Sequence, residues 1–286
     1  MPFFSIIIPT YNCADFIRQT VAMVQKQSFQ DWELIIVDDG STDQTLEILQ
    51  EIKGTYPKLK VFQRPEDRTK GPSACRNIGV ENAMGQYIAF LDSDDEWNAD
   101  RLGNAWGFIN QTQFKAFYSG AWVIDHQRKY FRDSREIRKG ESLFDFVING
   151  DSFAPTPTII IKKEIAKKVS FPENIRFHED FDYFMEVGEI VPWNFFPIQD
   201  ILVHWEDNQN KKVNYQDCLW FYQKHVEKSL DRKVRLNYLR YLAYELVSKQ
   251  PEDTNLLAYE KLLELEGYNF STRDRLMFDF PRVYAL

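Results

Sequence analysis

Two carboxylates one residue apart, Asp92 and Asp94, stand where the apolar run Tyr87-Ile88-Ala89-Phe90-Leu91 stops. With Ser93 and Asp95 they form an acidic, oxygen-rich turn. Such a turn can hold a hard divalent cation against phosphate oxygens. A polar loop that only caps the following helix is the alternative. A second acidic cluster follows Trp32-Glu33-Leu34-Ile35-Ile36-Val37 as Asp38-Asp39-Gly40-Ser41-Thr42-Asp43. A third, His178-Glu179-Asp180-Phe181-Asp182, lies in the second half of the chain.

Each cluster must be placed by the elements around it. Phe3 to Ile8, Trp32 to Val37 and Tyr87 to Leu91 are short apolar runs rich in aromatic and β-branched residues, which predicts buried strands. Val61-Phe62 predicts a fourth. Asp15 to Gln27 has the spacing of a helix, with Phe16, Ile17, Val21 and Val24 inward. Ser41 or Thr42 is expected to cap a helix over Gln44 to Lys53. Gly71-Pro72-Ser73-Ala74-Cys75-Arg76-Asn77-Ile78-Gly79 opens another. Asp95 is expected to begin the helix through Trp97 to Ile109, where an acid is electrostatically favoured. Alternating strand and helix argue for an α/β domain on a mostly parallel sheet, with ligands outside the carboxyl ends of the strands.

Four motifs stand in order: Ser-Ile-Ile-Ile-Pro-Thr-Tyr-Asn, Ile-Ile-Val-Asp-Asp-Gly-Ser-Thr-Asp, Ala-Cys-Arg-Asn-Ile-Gly and Phe-Leu-Asp-Ser-Asp-Asp. Together, over residues 3 to about 105, they resemble the nucleotide-sugar domain of family 2 inverting glycosyltransferases. The resemblance implies a GT-A fold: a Rossmann-like, mixed but mostly parallel sheet with helices on both faces. It puts a donor nucleotide across Pro9, Thr10, Tyr11, Asp38 and Asp39. Tyr11 can lay a ring near the base, and Asp39 can accept the imino hydrogen of uracil. Arg76 fits a diphosphate, as guanidinium presents a planar fork to phosphate oxygens; pairing with an acidic loop residue such as Asp92 or Asp38 is the alternative, and both can hold. The resemblance makes Asp92 and Asp94 the Asp-X-Asp element. Asp94 is then the direct ligand of Mn²⁺ or Mg²⁺, and Asp92 lies nearer the ribose or a metal-bound water, with Ser93 also at the nucleotide sugar.

Phe177-His178-Glu179-Asp180 resembles the Glu-Asp motif of the same family, which makes Asp180 the base that takes the acceptor hydroxyl proton. Single displacement needs one such base and no protein nucleophile. Glu179 and Asp182 are its rivals, since neighbours one or two apart on a helix do not share a face. His204, after the apolar run 195–203, is a further metal candidate, imidazole suiting manganese better than magnesium. Ala154-Pro155-Thr156-Pro157 breaks the chain before a strand at Thr158 to Ile161. Phe117 to Ile124 predicts another strand, and the mixed charges of residues 125–140 a solvated hairpin or loop.

At 286 residues and 44% hydrophobic, the chain can bury a full α/β core and leave a remainder. We expect a catalytic domain over residues 1–212 and a helical C-terminal region over 213–286. The net charge of −8 disfavours nucleic acid. Yet residues 211–250 carry nine Lys or Arg against four acids, with aromatics between them. That stretch is expected to form amphipathic helices, with Leu239, Leu242 and Leu246 on one stripe. Its outer face suits a peripheral contact with anionic lipid or a homo-oligomer. Cys13, Cys75 and Cys218 lack a metal or disulfide pattern and suit a reducing cytoplasm, with the inner face of the membrane as a further expectation. The function expected is metal-dependent transfer of a sugar from a UDP-sugar to a saccharide or lipid-linked acceptor in surface polysaccharide or glycoconjugate synthesis. A catalytically silent nucleotide-sugar-binding scaffold and a sugar-phosphate nucleotidyltransferase are the alternatives.

Overall fold

The apolar runs become neighbouring strands in a computed structural model that describes residues 1–125, 128–150, 152, 154–205, 213–279 and 281. The strands are β1 (Phe4–Thr10), β2 (Trp32–Asp38), β3 (Leu59–Gln63), β4 (Tyr87–Phe90), β5 (Glu96–Trp97), β6 (Ala116–Tyr118), β7 (Ala121–Asp125), β8 (Arg128–Arg132), β9 (Ile160–Lys162), β10 (Asn194–Phe195) and β11 (Ile201–Trp205). The helices are α1 (Ile17–Gln25), α2 (Thr45–Thr55), α3 (Pro72–Asn82), α4 (Arg101–Thr112), α5 (Leu143–Ile148), α6 (Lys163–Ala166), α7 (Glu179–Gly188), α8 (Tyr215–His225), α9 (Arg232–Lys249), α10 (Leu256–Leu265) and α11 (Thr272–Asp279).

Seven strands form one sheet in the order β10-β6-β9-β4-β1-β2-β3, parallel except where β9 meets β4 and β6. Alternation along β1 covers both faces. Phe4, Ile6 and Ile8 join a core with Ile17 and Val21 of α1 and Leu102 of α4. Ile7 meets α3, where a Cβ on Gly79 would fall 2.4 Å from its side chain. Only a glycine lets that helix lie so close. A smaller sheet, β5-β11-β7-β8, carries the charged connector as the hairpin β7–β8. Arg101 is wholly buried and binds Asp200 at 2.9 Å and the Thr158 carbonyl at 2.9 Å.

The chain divides into two compact units, Met1–Ile137 with Ser152–Lys211, and Arg138–Asp151 with Lys212–Leu286. The segment Arg138–Asp151 therefore groups with the C-terminal helices, not with the stretch 1–212 around it. Its Asp145 carboxylate accepts from the amides of Leu230 and Asp231 at 2.8 and 3.1 Å, and Phe144 stacks on Phe221. Within this second unit Leu239, Leu242 and Leu246 of α9 are buried together, as their stripe predicts. No helix among the described residues is long and apolar enough to cross a membrane.

Three local expectations fail. The strand expected over Phe117 to Ile124 is two, β6 and β7, which belong to different sheets. Neither Ser41 nor Thr42 caps α2. The Ser41 hydroxyl serves Asp38 and the Asn12 amide, the Thr42 amide goes to Asn12, and Asp43 takes the Thr45 amide instead. Nor does Asp95 start a helix. The chain runs into β5, and the buried Asp95 carboxylate accepts from the His204 amide of β11 at 2.9 Å.

Candidate active site

Parallel register puts three sequence motifs at one edge of the large sheet. Thr10 lies opposite Asp38, and Ile7 opposite Phe90. Pro9-Thr10-Tyr11, Asp38-Asp39 and Asp92-Ser93-Asp94 thus leave the carboxyl ends of three adjacent strands, the usual ligand edge of an open α/β sheet. The first two loops are stitched together. The amides of Asn12, Cys13 and Ala14 donate to Ser41, Thr45 and Asp43 at 2.9, 2.8 and 3.1 Å. The Asp-X-Asp turn is tied to α1, where Thr20 Oγ1 donates to the Ser93 carbonyl at 2.8 Å.

Asp39 is held twice. Its amide donates to the Thr10 carbonyl at 2.8 Å, and Arg64 Nε donates to its Oδ1 at 2.5 Å. Tyr11 is half exposed, with Lys70 Nζ 3.7 Å from its ring centre. Arg64 and Lys70 both belong to the segment between β3 and α3, which therefore braces the two residues expected at a base. Arg68 of the same segment binds the Glu173 carboxylate and Glu81.

Arg76 lies inside α3 at 5% exposure. Its guanidinium donates to Asp92 Oδ1 at 2.6 Å and stands 5.4 Å from the centre of the Phe171 ring. Burial works against its charge, but Asp92, Glu179 and Asp180 more than offset this and raise its pKa. Arg76 is the point where the third, fourth and last motifs meet. Phe171 stacks at 3.8 Å on Tyr183 of α7, whose first turn carries Glu179 and Asp180. Asn77 clamps the Phe171 backbone, donating to its carbonyl at 2.9 Å and accepting from its amide at 2.8 Å.

The acids at this edge are crowded. Burial, then the Asp180 charge, push Glu179 up to about 7. Burial also raises Asp180, opposed by the Phe181 amide, which donates to it at 2.9 Å. Asp95 is raised by burial and by the charges of Asp92 and Asp94. His178 starts α7 at φ 66°, stacks on Phe181 and is pushed down to about 4 by burial. The His204 ring lies on Glu96 at 2.9 Å, its one ring partner among the described residues. Strand β11 aims it there because Leu202 pairs with Glu96.

Asp92 and Asp94 offer hard oxygen ligands, and Asp94 is exposed. Burial first, and then the charges of Asp92 and Asp94, raise Asp95, and a divalent cation on those two carboxylates would relieve the second cause. Arg64, Arg68, Glu173 and Asn77 were not singled out from the sequence. Arg64 had one local signal, a cation directly after a strand at the ligand edge. Arg68 and Glu173 are 105 positions apart and had none.

The model of a known family, Glycosyl transferase family 2, matches residues 5–170, more than half of the chain. An uncharacterized glycosyltransferase of Haemophilus influenzae is 35% identical over 186 residues, which cover 65% of this chain and 72% of that protein. The Escherichia coli UDP-Glc:alpha-D-GlcNAc-diphosphoundecaprenol beta-1,3-glucosyltransferase WfaP is 32% identical over 177 residues, covering 60% of this chain and 65% of its own length. Among solved structures, S. aureus TarS 1-349 superposes with a TM-score of 0.68 at 21% identity, over 100% of this chain and 88% of that one. TarS has also been solved with UDP-GlcNAc, that structure matching with a TM-score of 0.60 over 99% of this chain and 74% of that one, at 22% identity.

Proposed function

The chain belongs to glycosyl transferase family 2, and from that membership we propose that it moves a sugar from a UDP-sugar to an acceptor hydroxyl by metal-dependent single displacement with inversion. The observation that carries this is the meeting at Arg76. One buried guanidinium pairs with Asp92 of the donor edge and feels the charges of Glu179 and Asp180. Donor and base motifs far apart in sequence thereby address one site.

In this reading Asp39 accepts the uracil imino hydrogen, Tyr11 lies beside the base, and Arg76 holds the diphosphate after sharing Asp92 with it. Asp180 takes the acceptor proton while the acceptor oxygen attacks the anomeric carbon and its bond to UDP breaks. Burial raises the proton affinity of Glu179 and Asp180, and a base of raised pKa is a stronger proton acceptor. Asp94 and Asp92 would hold Mn²⁺ or Mg²⁺, which when bound supplies positive charge for the departing diphosphate. His204 would join only by exchanging Glu96 for the ion. The UDP-GlcNAc complex of TarS and the name of WfaP support a UDP-sugar, and WfaP supports a lipid-linked acceptor in glycan assembly. The buried thiols Cys13, Cys75 and Cys218 fit action in the cytoplasm.

The test is product formation by the full chain from labelled UDP-sugars, with and without Mn²⁺, on lipid-linked and free saccharide acceptors. We expect transfer from one UDP-sugar and β/α inversion at its anomeric carbon. Retention of configuration, or UDP-sugar binding with no transfer to any acceptor, would contradict the proposal.

A further inference from the structure

The Arg64 side chain is only 12% exposed and leaves the carboxyl end of β3. Its amide extends the parallel ladder, donating to the Asp38 carbonyl at 2.8 Å. The guanidinium is then fixed on three sides. Nε donates to Asp39 Oδ1, and Nη1 donates to the carbonyls of Pro65 and Arg68 at 2.8 and 2.6 Å. A planar fork locked by backbone carbonyls sets the plane of the carboxylate it meets, as well as its charge. Gly40, at φ +80°, lets the chain turn directly past it, with a Cβ there 3.9 Å from Arg64 Nη2. Asp39 is consequently pinned by its amide to Thr10 and by Oδ1 to Arg64. Among the described residues Oδ2 has no protein donor.

On the footing of the UDP-sugar reading above, we propose that Arg64 is a positioning residue that makes Asp39 select uracil over cytosine. An ionised carboxylate only accepts hydrogen bonds, which suits the imino N–H of uracil. The matching nitrogen of cytosine has a lone pair and would face Oδ2 with like polarity. Without Arg64 the carboxylate is free to turn, and nothing fixes the plane that Oδ2 presents to the base. The Arg64 effect is thus on discrimination, and a residue that merely supported the loop would weaken both nucleotides alike.

The experiment is calorimetric titration of the full chain with UDP and with CDP at fixed Mn²⁺, for the unaltered protein, Arg64→Gln, Arg64→Lys and Asp39→Asn. A hydrogen bond to a charged group is worth roughly tenfold or more in affinity. We expect Arg64→Gln to lower the UDP-to-CDP affinity ratio by about that factor, and Arg64→Lys to restore part of it. Asp39→Asn, whose amide can donate to cytosine, should lower the ratio at least as far. If Asp39→Asn shifts the ratio while Arg64→Gln lowers both affinities equally, the Arg64 proposal is overturned and the uracil role of Asp39 stands. If Asp39→Asn leaves the ratio unchanged, or the unaltered protein binds neither nucleotide, the underlying donor reading fails and takes this one with it.

Discussion

The two edges of the large sheet both bury carboxylates, and they treat them in opposite ways. At the amino edge Glu33 accepts from Ser5 Oγ and the Met84 amide at 2.6 Å each, and from the Gly85 amide at 3.2 Å, with Lys60 at 2.6 Å. Burial raises its pKa, yet those donors outweigh burial and the net shift is downward. Glu33 thus ties together the starts of β1, β2 and β4. At the carboxyl edge burial also raises Glu179, Asp180 and Asp95, but neighbouring acids add to it and few donors oppose it. One edge spends its polar groups on one another. The other leaves charge unbalanced, which is the condition for binding a cation, a proton or a substrate.

The sharpest way to break this contrast is kinetic. Asp180→Asn keeps size but removes basicity, so transfer should fall by roughly 10²–10⁴-fold with UDP affinity nearly unchanged. Glu179→Gln should cost less, because adjacent residues on a helix point apart. If Glu179→Gln is the inactive variant and Asp180→Asn turns over normally, the base is the neighbour. Arg76→Ala should weaken UDP by about tenfold or more while sparing uridine, whereas Asp39→Ala should weaken both. Equal losses for both ligands in both variants would show that the diphosphate and the base are not read separately.

At the amino edge the effect should be on stability. Glu33→Gln is expected to lower the unfolding free energy by about 1–3 kcal/mol, with transfer and UDP affinity retained. Denaturant unfolding beside a turnover assay checks both halves. Glu179→Gln should do the reverse, stabilising the protein at pH 8. Loss of stability in that variant would mean its charge is well satisfied.

The pH dependence separates the edges more gently. Glu33, with a folded pKa below its ordinary 4.5, stabilises the fold above that value, and the contribution is lost as pH falls through the folded value. Glu179, raised to about 7, contributes fully below 4.5, and that contribution is lost as pH rises through 7. Melting temperatures across pH 3 to 8 should therefore lose their acid-side slope in Glu33→Gln and their slope between about 4.5 and 7 in Glu179→Gln. Identical profiles for both variants would erase the distinction.

Much of the carboxyl edge is legible in the sequence. Strands that end abruptly in acid announce both a buried run and a polar terminus, so β1, β2 and β4 and their ligand edge follow from local pattern. Asp95 was misplaced because an acid before a helical pattern usually caps it, and here a distant strand, β11, claims it first. His204 was read by its position after a strand, and pairing of β11 with β5 sets its ring on Glu96. Glu33 and Arg101 were passed over. A charge inside an apolar strand or helix looks solvent-facing until its partners are known, and those partners, Met84 and Asp200, lie 51 and 99 positions away. The same distance hid the grouping of Arg138–Asp151 with the C-terminal helices, which rests on Asp145 meeting residues 84 to 86 positions on.

On the proposed function, a metal ion and a nucleoside diphosphate complete the crowded acids of the carboxyl edge. Calorimetric titration of the full chain with UDP, with and without Mn²⁺, and again for Asp94→Ala, tests it most directly. Mn²⁺ should tighten UDP binding to the unaltered protein by about tenfold or more, and Asp94→Ala should bind UDP weakly and alike in both conditions. Equal UDP affinity with and without Mn²⁺ in the unaltered protein would contradict it.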